Sequence, residues 1–149
     1  MPDKGSAGSL TLALGRLSGM LRRDLTRRLG SEPWVAEAEL RPPSFAVLSL
    51  IGEHQPVSQK QVSDHLSADP SDLVAIFDGL ERAGLISRDR DPDDRRRYSL
   101  TLTSHGAERL GRFREIAAEI TDEIFAPLTA AERETLRRLL QRVVEHHAP

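Results

Sequence analysis

The sequence predicts a mainly α-helical fold with one small β-hairpin, and three observations predict it. Apolar residues return every three or four positions over most of the chain, the period of a helix with one buried face. Two short strand-like runs, Leu85-Ile86-Ser87-Arg88 and Tyr98-Ser99-Leu100-Thr101-Leu102, flank a charged turn rich in aspartate and arginine, which is a hairpin pattern. Helix-start signals precede the apolar stripes: Pro42-Pro43, Ser58 with Gln61, Asp69-Pro70, Thr103, and Thr129 with Glu132.

Each element follows from its residues. Residues 1–8 combine Gly, Ser and Pro with charges and have no apolar period, so they read as a flexible leader. Leu10, Leu14, Leu17, Leu21, Leu25 and Leu29 then recur at helical spacing among Arg16, Arg22, Arg23, Asp24, Arg27 and Arg28, and Gly30 stops that helix. A connection containing Trp34 and Glu37 leads to Arg41-Pro42-Pro43-Ser44, where proline suits the first turn of a helix. That helix carries Phe45, Val47, Leu48, Leu50 and Ile51 and ends near Gly52. Ser58 and Gln61 have capping-box spacing and start a short helix through Val62 and Leu66. Asp69 as N-cap and Pro70 as first helical residue open another, with Leu73, Ile76, Phe77 and Leu80 on one face and Gly84 at its end. After the hairpin, Thr103 caps a long helix bearing Ala107, Leu110, Phe113, Ile116, Ile120 and Ile124, to about Pro127. Thr129 and Glu132 cap the last one, with Leu136, Leu139, Leu140 and Val143.

Residues 42–102 thus form a compact unit of closely spaced helices followed by a hairpin, a winged helix-turn-helix, between an N-terminal helix and connection (9–41) and C-terminal helices (103–149). The terminal helices carry more apolar surface than a unit of that size covers. Residues 9–30 and 104–147 are therefore expected to bury their stripes against a symmetry mate, forming the dimerisation domain of a homodimer.

Composition removes most other classes. At 149 residues and 38% hydrophobic, the chain has the length of one domain. Without cysteine there is no disulfide framework, thiolate metal site, cysteine nucleophile or thiol redox switch. No apolar run approaches the roughly 20 residues that span a bilayer. The polar start MPDKGSAGS is unlike a secretory signal, so a cytoplasmic location with no membrane partner is expected. No glycine-rich phosphate loop, nucleophile elbow or spaced base and nucleophile marks an enzyme, and no cofactor is expected. The 21 Lys and Arg against 23 Asp and Glu leave a net charge of −2, so any contact with phosphate must come from local placement of charge.

In a winged helix-turn-helix the second helix of the pair enters the major groove of double-stranded DNA, and the hairpin tip reaches backbone or minor groove. Residues 87–97 hold Arg88, Arg90, Arg95, Arg96 and Arg97 against Asp89, Asp91, Asp93 and Asp94, five positive against four negative, a net of only +1. One reading is that the aspartates orient particular guanidinium groups. The other is that Asp91-Pro92-Asp93-Asp94 is a turn and the arginines a solvated edge.

Gly84-Leu85-Ile86-Ser87-Arg88, Asp91-Pro92-Asp93-Asp94-Arg95-Arg96 and Leu100-Thr101-Leu102-Thr103-Ser104-His105-Gly106 together resemble the wing signature of the MarR family of bacterial transcriptional regulators. Leu40 with Phe45, Val47 and Leu48, the run Leu80-Glu81-Arg82-Ala83-Gly84-Leu85-Ile86, and Leu128-Thr129-Ala130-Ala131-Glu132-Arg133 extend the likeness over roughly residues 9–145. The resemblance implies a triangular homodimer on a pseudo-palindromic operator, usually as a repressor. It also implies release by a small aromatic or phenolic acid, or another hydrophobic ligand, bound between dimer helices and winged domain. By the same resemblance Arg96 enters the minor groove, Asp94 holds it, and Arg95 and Arg97 contact neighbouring phosphates; Arg88 and Arg90 are counted with them.

The recognition helix departs from the family pattern. Where Ser, Thr and Arg are usual, this chain has Pro70, Ser71, Asp72, Val74 and Ala75, with no Lys or Arg between Asp69 and Glu81. Bidentate reading of guanine is ruled out there. What remains is Ser71 to phosphate or base, Asp72 accepting from cytosine, and Val74 or Ala75 against thymine methyls, with Ser58, Gln59 and Lys60 on the backbone. Specificity is expected to lean on groove shape and the wing. Asp72 is equally explained as a carboxylate favoured by a helix N-terminus.

Other candidates have simpler explanations. Trp34 either lines a ligand pocket or anchors the connection it sits in. His54, His65 and His105 lie near helix ends without metal-site spacing, and Glu145-His146-His147 reads as a solvated tail, so no metal site is expected. The acidic recognition helix motivates one rival function, a winged-helix protein-interaction or antagonist module with weakened sequence-specific DNA binding.

Overall fold

The computed structural model describes residues 4–148, as helices around one small sheet. In chain order these are α1 (Lys4–Leu29), α2 (Pro33–Glu37), α3 (Pro42–His54), β1 (Val57–Ser58), α4 (Gln59–Leu66), α5 (Pro70–Arg82), β2 (Ile86–Arg90), β3 (Tyr98–Leu102), α6 (Ser104–Ile124) and α7 (Ala130–His147). The result is the mainly helical winged fold that the periodicity predicts.

The start signals work as their chemistry requires. Gln61 N donates to Ser58 Oγ at 3.1 Å while Ser58 N donates to Gln61 Oε1 at 2.9 Å. Thr129 and Glu132 close the same reciprocal pair at 3.3 and 2.8 Å. Ser71 N donates to Asp69 at 2.8 Å, and Gly106 N to Thr103 Oγ1 at 2.9 Å. Each satisfies backbone donors that the first helical turn leaves without partners.

Several boundaries differ from the sequence reading. Helix α1 begins at Lys4, inside the expected leader, because a helix nucleated by the leucine stripe extends at little further cost per residue. The rest of that leader, residues 1–3, lies outside the described residues. The connection after Gly30 contains α2, opened by Pro33 and burying Trp34 and Val35. Helix α3 runs past Gly52 to His54, and α6 ends at Ile124, short of Pro127. Helix α5 ends at Arg82; Gly84, with φ +71°, then turns the chain into β2.

Strand β1 adds an unforeseen third strand to the hairpin. The sheet order is β1-β3-β2, antiparallel throughout, with Val57 opposite Leu100, Ser58 opposite Ser99, and Ile86 through Arg90 opposite Leu102 through Tyr98. Gln55 Oε1 accepts from Leu102 N at 2.8 Å beside β1. Phe45, Leu48, Ile51, Val62, Phe77, Leu80, Leu85 and Leu100 fill the core between helices and sheet.

Helix α6 joins this core through Leu110, Ile116 and Ile120 and receives the second half of α1 through Leu21, Leu25 and Leu29. Arg28 binds Glu119 at 2.9 Å and also pairs with Glu123. Arg112 binds Glu32 at 2.8 Å, and that hydrogen bond holds the Glu32 carboxyl below its usual range. The outer ends of α1 and α7 are different. Helix α7 buries no residue. Its start is pinned by Arg133, which donates to Phe125 O at 3.0 Å and pairs with Asp122 at 2.8 Å. Leu10 and Leu12 on α1, and Leu139, Leu140, Val143 and Val144 on α7, remain exposed, Val143 to 60%. Among the described residues no helix is long and apolar enough to cross a membrane.

Candidate nucleic-acid interface

The β2–β3 pairing leaves residues 91–97 as the hairpin tip, and its aspartates divide the labour. Asp91 makes the turn: its carboxylate accepts from Asp93 N at 2.8 Å and Asp94 N at 3.3 Å, and its N–H donates to Arg97 O at 3.0 Å. Asp94 holds the arginines. It accepts from Arg96 N at 3.0 Å and Arg96 Nε at 3.2 Å, and stands 3.5 Å from Arg97 Nε. Both sequence readings of this segment therefore hold, at different residues. The bonds from Arg96, backbone first, keep the Asp94 carboxyl below its ordinary range, so it remains charged through neutral pH. The Arg96 side chain itself is 92% exposed. Arg95 and Arg97 are exposed beside it.

Two of the wing arginines have partners within the protein: Arg88 is half-buried, whereas Arg90 remains exposed. Arg88 is only 14% exposed, with Nη2 2.7 Å from Asp78 and 3.5 Å from Glu81 on α5. Arg90 lays its guanidinium 4.5 Å from the centre of the Tyr98 ring and donates to Arg95 O at 2.7 Å. Register sets this: in β2, Arg88 and Arg90 share a face two residues apart, on which Arg88 meets α5 and Arg90, still exposed, lies by Tyr98. Asp89, on the opposite face, accepts from Ser87 Oγ at 2.9 Å.

Strand β1 brings the start of α4 to the root of the wing. Ser58, Gln59 and Lys60 with Arg96, Arg97 and Tyr98 line one cleft of about 320 Å³. It combines three cations with the N-terminal end of α4, where the helix dipole favours an anion. Gln59 Oε1 is buried there without a hydrogen-bond partner. Lys60 pairs with Asp64 at 2.8 Å, an exposed pair that a phosphate can replace at small cost.

The turn between α4 and α5 is tight. Ser67 adopts a left-handed conformation (φ 48°), and Ser63 Oγ donates to Ala68 O at 2.6 Å. Beyond it Ser71, Asp72, Val74 and Ala75 lie on the exposed face of α5, together with Asp78, while Leu73, Phe77 and Leu80 face the core. Val74 is 45% exposed, which leaves its methyls free to meet an apolar group on a base edge.

A smaller recess of about 230 Å³ lies on another side of the lobe, between α2, the α5–β2 turn and the start of α6. Trp34, Leu85, His105 and Arg109 are among its lining residues. The Arg109 guanidinium sits 5.0 Å from the Trp34 ring centre, with a buried Nε that has no hydrogen-bond partner. Trp34 also stands edge-on to Phe45 at 5.8 Å, and Phe45 stacks on Phe113 at 4.9 Å. It thus anchors the connection and lines a recess. Sequence spacing carried no signal for Arg109 or Tyr98, nor for the stacking of His54 on His65 at 4.6 Å.

Helix pair, basic wing and flanking helices give a definite arrangement to compare with known proteins. The MarR family model matches residues 40–98. The HTH-type transcriptional regulator YkoM of Bacillus subtilis strain 168 is 31% identical over 110 residues, 74% of this chain and 71% of that protein. The chain belongs to the MarR family. A transcriptional regulatory protein for the hcr operon of Thauera aromatica is 35% identical over 102 residues, covering 68% of this chain and 61% of that relative, which is less than two thirds of its length. A structure of the repressor CouR bound to a 23-mer DNA duplex matches with a TM-score of 0.76 and 28% identity, over 96% of this chain and 98% of that one. CouR from Rhodococcus jostii RHA1 bound to p-coumaroyl-CoA has the same fold, with a TM-score of 0.75 at 24% identity over 95% and 96% of the two chains. These MarR-type relatives are transcriptional regulators rather than enzymes.

Proposed function

We propose that this MarR-family regulator is a ligand-released repressor that binds a pseudo-palindromic operator as a homodimer. The observation that carries the reading is the wing tip: Arg96 is almost fully exposed yet fixed at its base by Asp94. A narrow minor groove has enhanced negative potential and accepts such a guanidinium even from a protein of net charge −2. Residues 42–102 form the DNA-binding region. Arg95 and Arg97 contact phosphates, Ser58, Gln59 and Lys60 clamp the backbone from α4, and Ser71, Asp72, Val74 and Ala75 face the bases. CouR bound to DNA supports this assignment by likeness of fold and sequence.

Residues 9–41 and 103–149 supply the dimerisation helices. The apolar residues left exposed on α1 and α7 support this, because an isolated chain would leave both stripes in water. Replacing Leu139 and Val143 together by Glu is expected to convert a dimer of twice 16.6 kDa to a monomer in sedimentation equilibrium; an unchanged mass would remove α7 from the interface.

The ligand is a small aromatic or hydrophobic compound. The recess beside Trp34 supports that chemistry, with an aromatic wall and an Arg109 Nε lacking a partner. A ligand that favours a conformation with the wrong spacing of recognition helices shifts the population away from DNA. DNase footprinting on the DNA upstream of the protein's own gene tests the whole reading. A protected pseudo-palindrome with steeply salt-dependent affinity is expected. Binding no tighter than to random duplex would favour the antagonist module that the acidic α5 suggests.

A further inference from the structure

The geometry points to Arg88 as a positioning residue that locks the wing to the recognition helix, and we infer that this link sets the distance between the two groove contacts in each half-site. The inference rests on the DNA interface proposed above, and concerns how its two parts are held in register.

Arg88 stands on β2, yet its charged group belongs to α5. Its Nη2 lies 2.7 Å from Asp78 Oδ1 and 3.5 Å from Glu81 Oε2, carboxylates on successive turns of that helix. It is 14% exposed against 92% for Arg96 in the same wing, so one arginine is used inside the protein and the other is presented outside it. From Arg88 the contacts continue outward. Its guanidinium is 5.7 Å from the Tyr98 ring centre, and the Arg90 guanidinium lies 4.5 Å from the same ring. Arg90 then donates to Arg95 O at 2.7 Å, the carbonyl just before Arg96. A continuous polar and aromatic chain thus runs from Asp78 on the DNA-facing helix to the residue before the wing tip.

Such a link supplies what the hydrophobic core does not. Phe77 and Leu80 hold α5 against the core by apolar contact, which is non-directional and tolerates small rotations. The hydrogen bond from Arg88 Nη2 to Asp78 is directional, because charge-assisted hydrogen bonds are strong only in a narrow geometry, and Glu81 adds an ion pair at 3.5 Å from the same nitrogen. Arg88 also offsets two negative charges on a helix with no cation between Asp69 and Glu81. Charge compensation alone is the competing account, and lysine separates the two: it keeps the charge and loses the planar fork.

The test uses full-length Arg88→Lys, Asp78→Asn and the double variant, titrated against the footprinted operator and a random duplex over a range of salt. Hydrogen exchange of α5 and of residues 91–97 is followed in the free proteins. Each single variant is expected to lower the operator-to-random preference about tenfold, with an unchanged salt slope and an unchanged melting temperature. The double variant is expected to be no worse than Arg88→Lys alone, since both changes break one interaction. Faster exchange at the wing tip in both single variants is expected as well. In a further variant, Arg88→Gln, which removes the charge, a salt slope reduced by about one would make Arg88 a phosphate contact and overturn the inference. Parental behaviour of Arg88→Lys, tighter binding by Asp78→Asn, or unchanged exchange would overturn it too. If the parent itself shows no operator preference, the proposed function fails, while the exchange measurement still decides whether Arg88 couples wing to helix.

Discussion

Arg96→Ala is expected to abolish operator binding and to leave the oligomeric state and melting temperature where they were. The side chain is 92% exposed and its contacts within the protein are those to Asp94, so its removal opens no cavity and uncovers no buried charge. What it removes is the group proposed to enter the minor groove, once in each half-site of the dimer. One good base-edge contact is worth about 1–3 kcal/mol, and two lost together lower affinity by roughly thirty-fold to twenty-thousand-fold. Mobility-shift titration reads the loss and sedimentation confirms the intact dimer. Unchanged binding would take Arg96 out of the interface.

Gly106→Ala produces the largest loss of stability expected from so small a change. A Cβ at this position would lie 1.8 Å from Leu85 O and 2.8 Å from Leu85 C, and the atoms in the way are backbone. They are also held: Leu85 O accepts from Thr103 N at 3.1 Å, and Thr103 Oγ1 donates to Gly84 O at 2.6 Å. The start of α6 is thereby docked on the turn that follows the recognition helix. Alanine gains about 1 kcal/mol of helix propensity over glycine. Overpacking costs of about 1–3 kcal/mol or more exceed that gain, because one side must move by more than an ångström. A melting temperature lower by about 5 °C or more is expected in thermal denaturation. Gly111→Ala is the internal control: its added Cβ meets nothing within 4 Å, so it gains the propensity alone and melts slightly higher. Equal melting of the two variants would show that the close approach at Gly106 is absent.

Much of the fold was legible because its signals are local. Ser58 with Gln61, and Thr129 with Glu132, specify their helix starts within one turn, and each closes the reciprocal bonds that its spacing requires. The hairpin was legible for the same reason, whereas its Asp94–Arg96 pair was implied by the resemblance to the MarR wing and is closed by a bond across two residues. The MarR wing signature added Arg96 and Gly106 as positions, and the structure gives the reasons: one is a presented cation, the other a point of backbone contact.

Other features escaped because nothing within a turn or a strand announces them. Strand β1 has two residues, too few to show a period, and exists because Val57 and Ser58 find Leu100 and Ser99 across the chain. Helix α2 has a single turn and is secured by burial of Trp34 and Val35.

The arginines of the wing show the boundary most clearly. Composition and order established that cations must be placed rather than massed, in a protein of net charge −2, and located them on a hairpin. Which of them faces outward was set by packing. Arg96 projects from the tip, whereas Arg88 meets Asp78 and Glu81 from a helix that the sheet register brings against β2. Local pattern specifies caps, periods and turns because those forces act over a few residues. The partner of a charged side chain is decided by whichever distant element the buried core places beside it.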